Sequence, residues 1–358
     1  MKRETVISVL VRCLIVVGWC AAIGIMLYVP KVIKHLQPRK SINLFSWPQL
    51  IDSETLQGFE KETGIKVNVS YFEANEELFV KLKATKGEGY DIIMPSDYMV
   101  KALTKEGLLK KIDHSKLEFF RDINPALRGH SYDPNNAYSI PFLWGVFGLG
   151  INNKFFKSKL SSASWDLVFT DKLAPHPIGM IDDAREALMI AAQYLFRTVD
   201  NLNAEQVQQI KKLLVEQKKR VAMYTDLRTD YLLLAGKCPA VVGLSTEVWK
   251  AMRVNPDIDF FIPEEGGFMN IDSIAIPASS ENTESAYKLI NYLYRVDILK
   301  HLVEKYAFFS PLNTVVGQVP DPRRMPVPTA RQIKKLDFFR TVFAEKQLNE
   351  VWIAVKAE

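Results

Sequence analysis

The sequence predicts an α/β protein in which parallel sheets are covered by helices and arranged as two lobes. The chain has 358 residues, which suits two domains of about 150 residues each better than one core. Strand-like and helix-like segments alternate after Lys40, as expected for a parallel sheet with helices on its faces. The turn sequence Asp133–Asn136 then precedes a long apolar strand, which indicates a crossing into a second lobe.

Three strand–helix units predict the first lobe. In parallel sheets, ligands bind beyond the carboxyl ends of the strands, where loops lead into helices. Trp47, the loop 73–75 and the loop 96–98 occupy these places. The predicted strands are Ile42–Ser46, Ile65–Phe72 and Asp91–Pro95, and the helices that follow are Ser53–Gly64, Asn75–Ala84 and Tyr98–Glu106.

A second set of strands and helices predicts the other lobe. It begins after a crossing strand and includes a helix opened by Asp183 and a strand at Asp272–Pro277; residues 283–306 are mostly helical and lead back to the first lobe. A last amphipathic helix is predicted from about Phe338 to Val355. The resulting division is 1–40 for a signal peptide or membrane anchor, 41–145 and 273–311 for lobe 1, and 146–272 and 312–358 for lobe 2.

The positive charge of the chain is concentrated at its beginning. Residues 1–40 hold seven basic residues and one acid, whereas the remainder holds nearly equal numbers of each. A near-neutral body argues against nucleic acid as a partner. The basic residues flank the apolar run Cys13–Val29, which predicts an apolar helix that is either a cleaved export signal or a membrane anchor. Both outcomes place the body outside the cytoplasm, either released after signal cleavage or tethered to the membrane.

Patterns typical of enzymes and metal sites are missing from the sequence. The five histidines show neither HxxxH nor HExxH spacing, and no GxxxxGK[ST] motif is present. Only Cys238 lies outside the apolar run, so the body can form neither an internal disulfide nor a cysteine cluster for zinc. These absences argue against an enzyme, so the sequence predicts neither a cofactor nor catalytic residues.

The sharpest local signal is DDARE, where Asp183 and Glu186 stand three residues apart at a helix start. This spacing is typical of helix capping, in which the first side chain accepts backbone N–H groups. It also leaves two carboxylates at a helix mouth that could receive a cationic ligand. Asp272 follows a Gly-Gly turn and is either an ordinary turn residue or a third acid in a cleft.

Several motifs in one order resemble the spermidine/putrescine-binding periplasmic proteins of polyamine ABC importers. The resemblance covers about Ile42 to Pro311 and includes FEKETGIKV, MPSDYMV, EGLLKKIDHSKL, DPNNAYSIPFLWG, DDARE, and EEGG followed by IDSIAIP. It implies the type II periplasmic-binding-protein fold, in which two α/β lobes joined by a hinge close over a ligand. It also implies that the ligand, a polyamine or related small cation, is delivered to an ABC permease in the inner membrane.

The resemblance further implies a set of ligand-binding residues. Carboxylates accept charge-assisted hydrogen bonds from ammonium groups, and aromatic faces attract cations. The positions that match polyamine contacts of the family are Trp47, Ser96, Tyr98, Asp183, Glu186 and Asp272.

Other positions depart from the family pattern. Leu50 stands where the family usually shows Tyr, Leu244 and Asn270 where it shows Trp, and Phe338 to Phe339 near its Gln. Fewer aromatic faces leave a second possibility open: a membrane-tethered sensor or partner-binding protein whose altered cleft takes a different small cation.

Overall fold

A computed structural model describes residues 17–19, 23, 26, 41–225, 228–316, 328–340 and 342–357. The rest of the predicted N-terminal signal or anchor segment lies outside the described residues. Within these ranges, no helix has both the length and the apolar character needed to cross a membrane.

The strands of the described chain form one mixed sheet, in the order β2-β1-β3-β9-β4-β7-β5-β6, with β10 paired to β9 and β8 paired to β4. Strands β1, β2 and β3 are parallel at one end, and β5, β6 and β7 are parallel at the other. The strands are β1 (Ser41–Ser46), β2 (Lys66–Tyr71), β3 (Ile92–Ile93), β4 (Ser139–Asn152), β5 (Ile178–Met180), β6 (Val221–Tyr224), β7 (Ala240–Leu244), β8 (Ile258–Phe261), β9 (Gly267–Ala275) and β10 (Leu336–Phe338).

The helices that the structure describes after residue 40 follow the predicted alternation. Helix boundaries agree with local capping: Gly64 ends the first helix with a positive φ of 70°, which glycine adopts without steric cost. The helices are α1 (Ser53–Thr63), α2 (Asn75–Thr85), α3 (Asp97–Lys105), α4 (Asp166–Phe169), α5 (Ala184–Phe196), α6 (Ala204–Lys218), α7 (Thr229–Leu234), α8 (Ser245–Val254), α9 (Thr283–Leu293), α10 (Val296–Tyr306), α11 (Asn313–Val316), α12 (Ala330–Ile333) and α13 (Glu345–Ala357).

Two long antiparallel strands, β4 and β9, occupy the middle of the sheet. Strand β4 pairs with β9 from Ser139 to Phe147 and with β7 and β8 at its other end. Gly148 lies where β4 packs closely on β8, because a Cβ atom there would come within 2.5 Å of the Phe261 carbonyl oxygen. The lack of a side chain at Gly148 and Gly150 thus permits close packing of this strand against its neighbours.

The segment around Phe338 is a strand, so the predicted start of the last helix is wrong. Phe338 ends β10, which pairs in parallel with β9, and the last helix begins at Glu345. The alternation of side chains explains the strand: Phe339 is buried and stacks on Phe268 at 4.3 Å, whereas Phe338 packs edge-on against Tyr132 at 5.6 Å.

The helical stretch predicted over 283–306 is interrupted. Helix α9 ends at Leu293 and α10 begins at Val296. Between them, Tyr294 is fully buried and stacks on Phe119 with ring centres 3.7 Å apart. The break turns this aromatic side chain into the core.

Candidate functional site

Ser96 joins the end of β3 to the middle of β9. It directly precedes α3, and its Oγ donates a hydrogen bond to Oδ1 of Asp272 over 2.7 Å. The two residues also form an isolated antiparallel β-bridge. The Ser96 backbone N–H donates to the Asn75 side chain, 3.2 Å away. Backbone and side chain together therefore fix Ser96 beside Asp272.

Asp272 lies within a strand rather than in a turn. Its side chain is buried, and its second oxygen faces the Asn270 amide nitrogen at 3.4 Å. Burial raises the pKa of Asp272 to about 6, although the hydrogen bonds from Ser96 and Asn270 favour the charged form. A nearby cation stabilises the charged form of a carboxylate that has been desolvated in this way.

Asp97 is a second buried carboxylate at this point, and sequence reasoning missed it. Its Oδ1 accepts the Tyr98 N–H over 2.6 Å, and its Oδ2 accepts the Ile271 N–H over 3.1 Å. Burial raises the pKa of Asp97 to about 7, and the neighbouring Asp272 adds to the rise. The available signal was an acid placed directly after a buried strand, inside the loop already predicted to face a ligand.

Asp183 and Glu186 have the geometry of a helix start. Asp183 is the N-cap of α5, and its Oδ1 accepts the Glu186 backbone N–H over 2.9 Å. The capping interpretation is therefore confirmed for Asp183. The helix follows β5, so both carboxylates lie beyond the carboxyl end of a parallel strand.

Arg185 links this helix start to the loop after β3. Its guanidinium carbon lies 4.5 Å from the centre of the Tyr98 ring, and Nη2 lies 3.7 Å from Oδ2 of Asp183. Tyr98 in turn donates a hydrogen bond from its hydroxyl to Glu76 over 3.2 Å. Two sets of contacts thus lie at this place. One joins Asp272 to Ser96, and the other joins Tyr98 through Arg185 to Asp183. Sequence reasoning did not single out Arg185.

Trp47 follows β1 and is partly buried. Its ring is tilted against Phe72, with centres 4.6 Å apart. Its indole N–H is buried without a hydrogen-bond partner in the described part of the chain. Trp47, Tyr98 and Phe338 pack against the same hydrophobic cluster. A direct role for Trp47 in binding stays a prediction.

The departing positions have structural roles. Leu50 is buried in the core, and Asn270 faces Asp272. Leu244 ends β7, where its side chain fills the space left by Gly145. Trp249, five residues beyond Leu244 in α8, is buried in the core. These positions therefore supply little aromatic surface beyond that of Trp47, Tyr98 and Phe338.

A cavity of about 670 Å³ lies away from these residues, near the start of α4 and the end of α5. Four of its charged side chains form two ion pairs: Arg197 lies 3.3 Å from Glu265, and Lys172 lies 2.6 Å from Asp166. We place the candidate site at the residues between Asp272 and Asp183 instead, because a buried carboxylate, a partly exposed carboxylate and the Tyr98 ring come together there. Among the described residues, no group of three potential ligands is arranged to hold a metal ion.

Comparisons with known proteins agree with the motif resemblance and confirm it. Residues 54–326 match the sequence profile of the family described as bacterial extracellular solute-binding protein. The chain is 33% identical over 280 residues to the spermidine/putrescine-binding periplasmic protein of Escherichia coli, covering 77% of this chain and 79% of that protein.

Other relatives extend the likeness over more of the chain. A putrescine-binding periplasmic protein of Pseudomonas aeruginosa is 28% identical over 340 residues, covering 89% of this chain and 92% of its own length. The structure of a spermidine/putrescine ABC transporter substrate-binding protein from Streptococcus pneumoniae superimposes with a TM-score of 0.79 at 24% identity, covering 88% of this chain and 98% of that one.

Proposed function

The chain belongs to the bacterial extracellular solute-binding proteins, and from this premise we propose that it is the substrate-binding component of an ABC importer that captures a polyamine. The observation that carries the proposal is the grouping of acids with an aromatic face. Ser96 is hydrogen-bonded to Asp272, and Tyr98, two residues after Ser96, contacts Arg185, which lies beside Asp183. Members of this family bind solutes, and the polyamine is inferred from the names of the relatives together with this chemistry.

Each proposed ligand residue has a chemical role. Asp183, Glu186 and Asp272 accept hydrogen bonds from ammonium groups, each worth roughly 1.5 to 3 kcal/mol. Tyr98 and Trp47 offer aromatic faces, which add about 0.5 to 2 kcal/mol around a cation. Ser96 orients Asp272 through the 2.7 Å hydrogen bond.

The division into lobes is part of the proposal. Residues 41–145 and 273–311 form lobe 1, and 146–272 and 312–358 form lobe 2. Strands β4 and β9 then connect the lobes and act as the hinge, since both pass through the middle of the sheet. Binding closes the lobes over the ligand, and the closed protein presents it to an inner-membrane permease.

The N-terminal segment directs export of the protein. The apolar run Cys13–Val29 with its basic flanks exports the body to the periplasm, where relatives of this chain are found. It then either is cleaved or stays as a tether to the inner membrane.

A thermal-shift assay of the purified protein tests the proposal. A ligand that binds only the folded protein stabilises it by about 2.7 kcal/mol at one hundred times its Kd, which corresponds to roughly 5 °C for a chain of this size. We expect such a shift with putrescine, spermidine, spermine or cadaverine at millimolar concentration. The absence of a shift with all four would contradict the proposal.

Glu186→Gln tests whether the negative charge of this acid contributes to ligand affinity. The variant keeps the shape of the side chain and removes one carboxylate, so ligand affinity should fall by roughly 1.5 to 3 kcal/mol. Glu205→Gln is the matched control, because Glu205 is also a first-turn acid, on α6, and is exposed. Calorimetric titration should show weaker binding for the first variant only, with similar melting temperatures for both. Lower stability with unchanged affinity would assign Glu186 to helix structure alone.

A further inference from the structure

Asn270 and Leu244 lie on either side of Gly145 in the middle of the sheet. Asn270 of β9 is the antiparallel partner of Gly145 of β4. Leu244 ends β7, and its Cδ1 lies 2.9 Å from the position that a Cβ atom of residue 145 would take. The side chains of Asn270 and Leu244 are both partly exposed. With no side chain on Gly145 between them, these three residues form one continuous surface, the Asn270 wall.

The Asn270 wall borders the buried carboxylate of Asp272. Asn270 and Asp272 are two residues apart on β9, so their side chains lie on the same face of the strand. The Asn270 amide nitrogen donates to Oδ2 of Asp272 over 3.4 Å, and the Ser96 hydroxyl donates to Oδ1 over 2.7 Å. Each carboxylate oxygen can accept two hydrogen bonds, so Asp272 retains acceptor positions for a ligand. Because the Asn270 nitrogen faces Asp272, the amide oxygen is a further acceptor beside it.

The chemistry of the Asn270 wall suits a guanidinium better than an ammonium. An ammonium is a compact, strongly hydrated charge, so its entry into a buried site is costly unless aromatic faces or a full set of acceptors replace the water. The family pattern has Trp at positions 244 and 270, whereas this chain has Leu and Asn. A guanidinium is more weakly hydrated, is planar, and carries its donors in a fork that matches a carboxylate. Oxygen acceptors beside an aliphatic surface are therefore enough to hold it.

We propose that Asn270 and Leu244 are specificity-determining residues that favour a guanidinium over an ammonium at the Asp272 end of the ligand. The guanidinium donates hydrogen bonds to Asp272 and to the Asn270 amide oxygen, and one of its faces packs against Leu244. The inference rests on the proposed function. It deepens that function by assigning the ligand class as an alkylamine that carries a guanidinium at one end.

Calorimetric titration of the full chain with agmatine and putrescine tests this assignment. The two ligands share the same chain of methylene groups with an amine at one end, and they differ only in the guanidinium or ammonium at the other. We expect the wild-type protein to bind agmatine more tightly than putrescine by about tenfold or more. The double variant Leu244→Trp with Asn270→Trp supplies aromatic faces instead, so the ratio of the two affinities should shift toward putrescine by about tenfold.

Asn270→Leu tests the amide oxygen without adding bulk to the site. The variant keeps a side chain of similar size and removes the acceptor, so the affinity for agmatine should fall more than the affinity for putrescine. Asn68→Leu is the matched control, because Asn68 also lies in a strand and donates from its amide to a side chain, that of Asn43 over 3.0 Å. It belongs to the edge strand β2, so its affinity ratio should equal that of the wild type.

Two results would overturn the inference. Putrescine binding to the wild type as tightly as agmatine, or more tightly, would show that the Asn270 wall does not favour a guanidinium. An equal loss of both affinities in Asn270→Leu, or no loss of either, would show that the amide oxygen does not discriminate between the ligands. Absence of binding of agmatine, putrescine and spermidine to the wild type would instead reject the proposed function itself.

Discussion

The burial of Asp97 next to Asp272 is the main departure from ordinary protein chemistry at the scale of single residues. Both side chains are at most 5% exposed, and Asp97 is held by two backbone N–H groups. Burial raises the pKa of Asp97 to about 7 and that of Asp272 to about 6. Two desolvated carboxyl groups cannot both ionise without a cost in electrostatic free energy. A bound cation reduces that cost because it attracts both negative charges.

This pair makes the stability of the protein depend on pH. Between the unperturbed pKa of 3.8 and about 7, folded Asp97 keeps a proton that the unfolded chain has released. The free energy of unfolding should therefore fall as the pH rises from about 4 to 7. Asp97→Asn removes this titration, so urea denaturation should show a smaller fall for the variant.

Glu205→Gln, which removes an exposed carboxylate, should keep the pH dependence of the wild type. Identical pH dependence in Asp97→Asn and wild type would show that Asp97 is ionised in the folded protein throughout this range.

At the scale of elements, the start of α5 combines a structural and a binding role in one residue. Asp183 caps the helix through the 2.9 Å hydrogen bond to the Glu186 N–H, and about a third of its side chain remains exposed. Asparagine caps helices about as well as aspartate, whereas alanine costs about 0.5 to 2 kcal/mol. The two roles can therefore be separated by a pair of substitutions.

Asp183→Asn should retain most of the stability of the protein, and Asp183→Ala should lose about 0.5 to 2 kcal/mol in urea denaturation. Both remove the charge, so both should weaken putrescine binding in a titration. Wild-type affinity in Asp183→Asn would mean that the carboxylate serves only as a cap.

Elements with strong local signals were predictable from sequence, and those defined by distant partners were not. The predicted strand Ile42–Ser46 and the cap at Asp183 match the structure because strand apolarity and capping are local properties. Phe338 was placed in a helix because its strand depends on pairing with β9, which local periodicity does not reveal. Asp97 and Arg185 were missed because their significance lies in contacts across the fold, with Ile271 and Tyr98 respectively.

At the scale of the whole molecule, the Arg185–Tyr98 contact joins the parts of the sheet that lie on either side of β4 and β9. If a ligand closes these parts together, small-angle X-ray scattering should show a smaller radius of gyration with saturating putrescine than without it. A double variant, Glu186→Gln with Asp272→Asn, lacks two of the proposed acids and should show no change at the same concentration. A radius that stays constant in the wild type while calorimetry reports binding would contradict closure.

The central position of β9 also sets an order of events during synthesis. Ile93 of β3 pairs with Ala275 of β9, although most of the second set of strands lies between them in the sequence. Contacts of such long sequence separation form slowly. A nascent chain that ends before β9 leaves β3 paired with β1 alone and lacks Asp272, so neither the finished sheet nor the candidate site exists until translation has passed Ala275.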